Sequence, residues 1–424
     1  MGKVNKDMKF VFDIDKKKYD KFVKNHNKSH FLQSYVWGSF AKKEKGLIPH
    51  YVGLEDKKGN LLCVSLLLEK KLPLGYSYFY APRGFVIDYE NKELLKEFTL
   101  QIRKYAKDKK AIFVKIDPDI QLQSLNMSGE KVDGIDNFWL VDYLKELGFK
   151  HLGFNKRFEH SQPRYTFRLD LTQGIDSIYK NLHSTTKKVI NKGNLYNLEI
   201  FKNDVKYIDD FYETMLETSK REGIVPYSKS YYSNFYEMLH KDNNSDIYIV
   251  YADIEKIKNE QQEKLDNLSI ECDNLTSENK KQELKNQINK IEKIINELDE
   301  VKEKKLPLAS IITTKYGNKV WTMHGGNHTY LRNLNANYLI YYEIIKDADK
   351  EGYEKIDFFG TAFNPTPDDP EYGIFLFKSR LGGEYTEFIG EFDLVTNKTM
   401  YVLFTKLVPF YRKAVRKIKK IKNK

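Results

Sequence analysis

DIYIVYADIEKIKNEQQEKLDNLSIECDNLTSENKKQELKNQINKIEKIINELDEVKEKKLPLASIITTKYGNKVWTM, residues 246–323, decides the fold. Its two ends read as β-structure. Asp246–Tyr251, Leu308–Thr313 and Lys319–Met323 are rich in β-branched and aromatic residues, and Lys315-Tyr316-Gly317-Asn318 supplies a hairpin turn. Between them, residues 253–305 contain no Gly, no Pro and no aromatic residue. Leu284, Ile288, Ile291, Ile295 and Leu298 alternate spacings of 4 and 3, which is a heptad seam. Ile257, Leu265, Leu268, Cys272 and Leu275 keep the phase in the first half, with Gln261 in the seam. The polar stretch Thr276–Asn279 can reverse the chain and cap a second helix. The pattern predicts an antiparallel two-helix coiled-coil arm over 253–305, with helices of about 22 residues and about 33 Å. It interrupts a meander at a strand-to-strand turn, where a fold tolerates insertion best.

The rest of the chain repeats the flanking pattern. Strands at His50–Leu54, Leu61–Leu68 and Tyr76–Tyr80 precede a helix at Lys92–Lys107 and a strand at Ala111–Ile116. The meander of the opening stretch is likewise followed by a helix, Asn337–Glu351, and a strand, Lys355–Phe359. Helices come first in both halves: Asp15–Asn25 in one, Val205–Arg221 and Lys229–His240 in the other. The reading is an α/β (α+β) protein with two copies of one mixed unit, and the cleft between them is the expected place for a substrate.

Composition narrows the classes. With 424 residues, 41% hydrophobic and 14% aromatic, the chain is long enough for two or three cores and is neither fibrous nor disordered. The longest apolar run, Leu61–Leu68, is broken by Ser65 and falls far short of the ~20 residues a membrane span needs. MGKVNKDMKFVFD at the N-terminus lacks the apolar core of a signal peptide. Two cysteines, Cys63 and Cys272, make no disulfide framework and suit a reducing cytosol. The expected location is cytoplasmic. The net charge is +11, yet 253–305 carries 14 acids against 11 lysines, so the excess of base sits elsewhere. The segment 406–424 holds nine Lys/Arg and no acid, and its apolar positions fall near helical spacing. Such a basic tail suits an RNA backbone or the anionic inner face of a membrane.

Metal and covalent chemistry find little support. His324 and His328 are four apart in HGGNH, but the paired glycines argue against the helix that would bring both onto one metal. There is no GxSxG, P-loop or dinucleotide fingerprint, and Cys63 lies within an apolar strand.

Six segments in order resemble the Fem family of non-ribosomal peptidyltransferases. They are FLQSYVWGSFAKK (31–43), YFYAPRGFVIDY (78–89), IFVKIDPD (112–119), ETSKREGIVPYSKSYY (217–232), the stretch from Trp321 to Gly360, and YGIFLFKSRLGGEYTEFIGEFD (372–393). The arm, too, falls where staphylococcal and streptococcal members carry theirs. The resemblance implies two GNAT-like acyltransferase-type subdomains. The first would be 1–160, completed by part of 385–424. The second would be 161–252 with 306–384, leaving 253–305 as the arm and 406–424 as the basic tail. It implies transfer of Gly, Ala or Ser from aminoacyl-tRNA to the stem-peptide amine of lipid II or UDP-MurNAc-pentapeptide, building the interpeptide bridge without a cofactor. Partnership with other Fem-type chains, or with a second copy, is also expected.

Residue by residue, the resemblance implies that Lys42 and Arg221 contact the precursor diphosphate, for which an ammonium and a guanidinium fork are suited. In relatives the lysine follows the tryptophan by four or five residues; position 41 is Ala here, so Lys42 takes the role. Tyr227 and the Thr322/His324 strand would line the same groove, although relatives tend to place tyrosines where Thr322 and His324 stand. Lys187, in STTKKVINKG, occupies a position usually held by Arg and would lose its bidentate geometry. Lys378 would stabilise the oxyanion formed when an amine attacks an aminoacyl ester. Its neighbours Phe375–Phe377 and Gly382-Gly383 would hold it at a strand-to-turn junction. Asp117, in IDPD, would orient the amine or accept its proton; the Asp-Pro pair reads equally well as turn chemistry.

Two other readings stay open. The fold could serve a GNAT-like N-acyltransferase acting on another amine with acyl-CoA, although no Q/RxxGxG/A-type pyrophosphate loop is present. Alternatively, the basic body and arm could belong to a non-catalytic RNA-binding or coiled-coil adaptor, which would leave Lys378, Asp117 and Arg221 idle.

Overall fold

The structure, a computed structural model, describes residues 8–157, 161–193, 196 and 198–406. Apart from Lys406, the basic tail lies outside the described residues. Sixteen strands are described: β1 (Lys9–Val11), β2 (Ile48–Glu55), β3 (Leu61–Lys71), β4 (Ser77–Ala81), β5 (Ala111–Ile116), β6 (Gln121–Leu125), β7 (Lys131–Asp136), β8 (Phe149–His151), β9 (Tyr165–Asp170), β10 (Glu199–Lys202), β11 (Ser245–Asp253), β12 (Lys305–Tyr316), β13 (Lys319–Asn327), β14 (Lys355–Thr361), β15 (Glu384–Phe388) and β16 (Phe392–Val395). They form two sheets, one of seven strands ordered β1-β2-β3-β4-β5-β16-β8 and one of nine ordered β10-β11-β12-β13-β14-β9-β15-β6-β7. The protein is α/β, with helices packed on both sheets.

Each sheet contains the meander seen in the sequence. In the first, antiparallel β2-β3-β4 leads through the helix Lys92–Asp108 to β5, parallel to β4. In the second, antiparallel β11-β12-β13 leads through the helix Ala336–Lys350 to β14, parallel to β13. A parallel neighbour needs such a crossover, whereas antiparallel strands need only a turn.

The chain also passes between the sheets. β6 and β7, within the expected first unit, pair onto the second sheet through β15. β16 enters the first sheet between β5 and β8. The links from β5 to β6 and from β15 to β16 are therefore short crossings from one sheet to the other. A shared core reinforces them: Phe31, Trp37 and Phe40 from the first half pack with Phe211, Tyr232, Phe235 and Trp321 from the second.

The arm is formed by helices Ile254–Asn274 and Glu278–Asp299. Asp253 caps the first by accepting from Lys256 N–H at 3.1 Å. Lys258, near the start of one helix, pairs with Asp299, at the end of the other, so the two run antiparallel. Ile254, Ile257, Ile294 and Leu298 root the arm in the core of the second sheet. Among the described residues, no helix is long and apolar enough to cross a membrane.

Candidate active site

Lys378 does not sit at a strand-to-turn junction. It occupies the last turn of the helix Tyr372–Ser379. An eight-residue apolar segment cannot be divided between helix and strand by periodicity alone, and tertiary packing decides it here. Phe375 packs on Phe167 and Tyr385, while Phe377 packs on Tyr338 and Tyr341, so the helix is wedged between the sheet and another helix. Lys378 is buried, and its Nζ donates to the carbonyl oxygens of Phe359 at 3.0 Å and Gly360 at 2.6 Å. Burial pulls its pKa down to about 7, against the opposing charge of Asp357. An ammonium has three N–H donors. With two on carbonyls, the third remains for a ligand oxygen.

Charged side chains run from beside this lysine to the crossing between the two sheets. Asp357 accepts from Arg168 Nε at 2.9 Å, from Thr166 Oγ1 and from Phe359 N–H at 2.8 Å. Arg168 also pairs with Asp119, which stands 3.8 Å from Lys319 Nζ. Although burial alone would raise the pKa of Asp119, Arg168 and Lys319 hold it well below the usual carboxylate range. Lys319 is lowered to about 8 by burial, opposed by Asp119.

Asp117 lies two residues before Asp119, in the crossing from β5 to β6. Its oxygens accept from Tyr80 Oη at 2.7 Å and from the backbone N–H of Arg83. Burial pushes its pKa up to about 7; Arg83 opposes the shift and Glu391 adds to it. A proton acceptor poised near neutrality is what general-base chemistry requires. Asp117 lines a small pocket with Arg83, Arg157, Arg164, Phe388 and Glu391. The guanidinium groups of Arg83 and Arg168 lie 4.4 and 4.6 Å from the centroid of the same Phe388 ring. Among the described residues no hydrogen bond joins Lys378 to Asp117; the Asp357–Arg168–Asp119 ion pairs end two residues from Asp117. None of these three, nor Arg83, stood out in the sequence by type or spacing, although Arg83, Asp119 and Asp357 fall within the quoted blocks.

Of the expected precursor-binding residues, Tyr227 and His324 come together at a second place. Tyr227 precedes a helix, Lys229–His240, that Ser228 caps by accepting from Tyr231 N–H. Its ring stacks on Tyr231 at 4.0 Å and lies 6.2 Å from His324. His324, on β13, is also ringed by Tyr232 at 5.3 Å and Phe235 at 5.0 Å, and burial lowers its pKa to about 4. The His324 ring is therefore neutral at physiological pH. Phe40 packs on Tyr231 and Phe235, bringing up the helix Tyr35–Lys45 on which Lys42 is exposed. Arg221 closes the helix Ile208–Glu222, where it donates to the carbonyl oxygen of Asn327 at 3.3 Å and pairs with Glu222 at 2.8 Å. Thr322, on the same strand as His324, is buried.

Lys187 stands apart from this group. Its helix, Ser184–Gly193, is tied by Thr186 Oγ1 to the carbonyl oxygen of Arg380, beside the end of the Lys378 helix, and Lys187 Nζ donates to the carbonyl of Lys180 at 2.7 Å. His324 and His328 also have different neighbours, since His328 Nε2 faces Glu213 at 3.5 Å. Among the described residues, no group of three or more His, Cys, Asp or Glu could hold a metal ion.

The structure thus holds two mixed sheets, a buried lysine and carboxylate both shifted toward neutrality, and, elsewhere, an aromatic cluster around His324. The chain matches the FemAB family over residues 14–408 and belongs to it. It is 29% identical over 426 residues to a lipid II:glycine glycyltransferase of Staphylococcus epidermidis, covering 97% of this chain and 99% of that one. The identity is also 29%, over 430 residues and with the same coverage, to the lipid II:glycine glycyltransferase of Staphylococcus aureus strain USA300. The crystal structure of FemX superposes with a TM-score of 0.74 at 28% identity, over 93% of this chain and 99% of that one.

Proposed function

We propose that this chain is an aminoacyltransferase that moves glycine from glycyl-tRNA to the stem-peptide amine of lipid II. The observation that carries the reading is its end-to-end correspondence with lipid II:glycine glycyltransferases, 97% of one chain against 99% of the other. Alanine or serine as the donated residue, and UDP-MurNAc-pentapeptide as acceptor, are the neighbouring possibilities that the assay below separates.

In this reading the acceptor amine, once deprotonated, adds to the ester carbonyl carbon. The carbon–oxygen bond to the tRNA ribose then breaks, and the proton lost from nitrogen ends on the ribose oxygen. Lys378, fixed by two carbonyls, offers its remaining N–H to the tetrahedral oxyanion. Asp117 accepts the amine proton and passes it on. The ester is already activated, so most of the rate comes from holding the two substrates together. Lys42 and Arg221 bind the acceptor diphosphate beside Tyr227 and His324, while Lys187 flanks the Lys378 end of the site. No cofactor is required. The described body reaches lipid II at the inner membrane face as a peripheral protein, with the basic 406–424 segment as a further contact.

The test offers the purified chain tRNAs charged with radiolabelled Gly, Ala or Ser, each with lipid II or with UDP-MurNAc-pentapeptide. Label should pass from glycyl-tRNA to lipid II. An acyl-CoA enzyme would leave every tRNA charged, and an adaptor would release nothing in response to acceptor.

A further inference from the structure

Strand β14 carries a β-bulge beside Lys378. Asp357 pairs with Arg168 and Gly360 with Thr166, so Phe358 and Phe359 together oppose the single residue Phe167. Bulges re-aim backbone groups and gather near functional sites. Here Phe359 has φ +60°, a left-handed conformation that costs a bulky L-residue energy and persists only where its surroundings impose it. Two side chains impose it. Asp357 accepts from Phe359 N–H at 2.8 Å, and the single O–H of Thr166 is shared between Asp357 and the carbonyl oxygen of Phe359, 3.0 Å away. The outcome is that two successive carbonyls, of Phe359 and Gly360, both face Lys378 Nζ.

We propose that Asp357 is a positioning residue for the transfer step, pinning this bulge so that its two carbonyls aim the Lys378 amine. The inference rests on the reading of Lys378 as the oxyanion donor. Asp357 has donors on both sides, Arg168 Nε and Phe359 N–H, and only a carboxylate can accept from both. The charged groups facing this point are Asp357 from β14, Arg168 from β9, Asp119 from the crossing after β5 and Lys319 from β13. Of these, Asp357 is the one whose charge acts on Lys378, holding its ammonium form.

The test is Asp357→Asn, which supplies one acceptor oxygen where two are needed. The expected result is a kcat lowered about tenfold to a hundredfold, with the KM for lipid II changed by less than about threefold. The midpoint for acetylation of Lys378 by acetic anhydride, which releases acetate, read by peptide mass spectrometry across pH, should fall as well. Adding Phe359→Gly, which takes up the left-handed backbone at no steric cost, should recover part of the lost kcat. Thr166→Val serves if Asp357→Asn does not fold, and it should lower kcat in the same way. An unmoved labelling midpoint, an unchanged kcat, or no recovery from Phe359→Gly overturns the inference. Because the labelling needs no turnover, a wild-type chain that transfers nothing counts against the proposed function instead.

Discussion

Tyr227 lies flat on Tyr231, with ring centroids 4.0 Å apart and planes inclined by 17°. One face of the Tyr227 ring is thereby occupied, yet the residue is 51% exposed. The open face is available to a planar or sugar ring brought into the groove.

Replacing Tyr227 with alanine should therefore raise the KM for the acceptor about tenfold while leaving kcat within about twofold, because stacking of this kind contributes about 1–1.5 kcal/mol. Tyr227→Phe should behave as wild type. Steady-state kinetics with varied acceptor checks both, and a fall confined to kcat would place the tyrosine with the chemistry.

Lys378→Ala should reduce kcat by about 10²–10³, the usual cost of losing an oxyanion donor, with acceptor binding changed only a few fold. The pH dependence has a defined sign. Asp117, raised to about 7, must lose its proton to act as a base, so activity rises through that pH. Lys378, lowered to about 7, must keep its proton to donate, so activity falls as pH climbs past it. A narrow bell centred near neutrality is expected. Asp117→Asn should flatten its acid limb and leave the alkaline one, as a full pH–rate profile would show.

Arg221→Ala should raise the KM for lipid II and weaken the inhibition of transfer by added pyrophosphate, with kcat preserved. A guanidinium beside the Asn327 carbonyl is held in place before substrate arrives, so little ordering cost is recovered when it is removed. Arg221→Lys should restore the charge and only part of the affinity.

Gly326→Ala should destabilise the fold by about 1–3 kcal/mol. A Cβ at Gly326 would fall 2.6–2.7 Å from backbone atoms of Thr214 and Met215, on the helix that carries Arg221. β13 and that helix would be forced apart, so the variant should lose thermal stability and acceptor affinity together. Calorimetry alongside binding measurements would reveal both.

Local signals carried much of this architecture into the sequence. The heptad seam and the absence of Gly and Pro marked the arm, and β-branched runs with hairpin turns marked the two meanders. Sheet membership was not legible. Periodicity says that Gln121–Leu125 could be extended, not that it joins a sheet through β15, whose residues lie about 260 positions further along. The same limit applies to the site. Lys378 and Asp117 stood out through their resemblance blocks, but Arg168 and Asp357 are joined only by the pairing of β9 with β14. A single arginine or aspartate on a strand gives no sign of a buried partner 189 residues away. Lys187 lies in a suggestive motif, and it is the fold that ties its helix to Arg380, beside the Lys378 helix.

The position of β16 bears on how the N-terminal sheet is completed. Among the described residues, β8 reaches the rest of its sheet only through β16, and β16 is the last strand. Without residues 392–395 the N-terminal sheet has an open edge at β5. A chain lacking residues 392–395 would leave β8 without its partner and the edge of β5 unpaired, so the N-terminal sheet cannot close without a strand that follows the whole second meander.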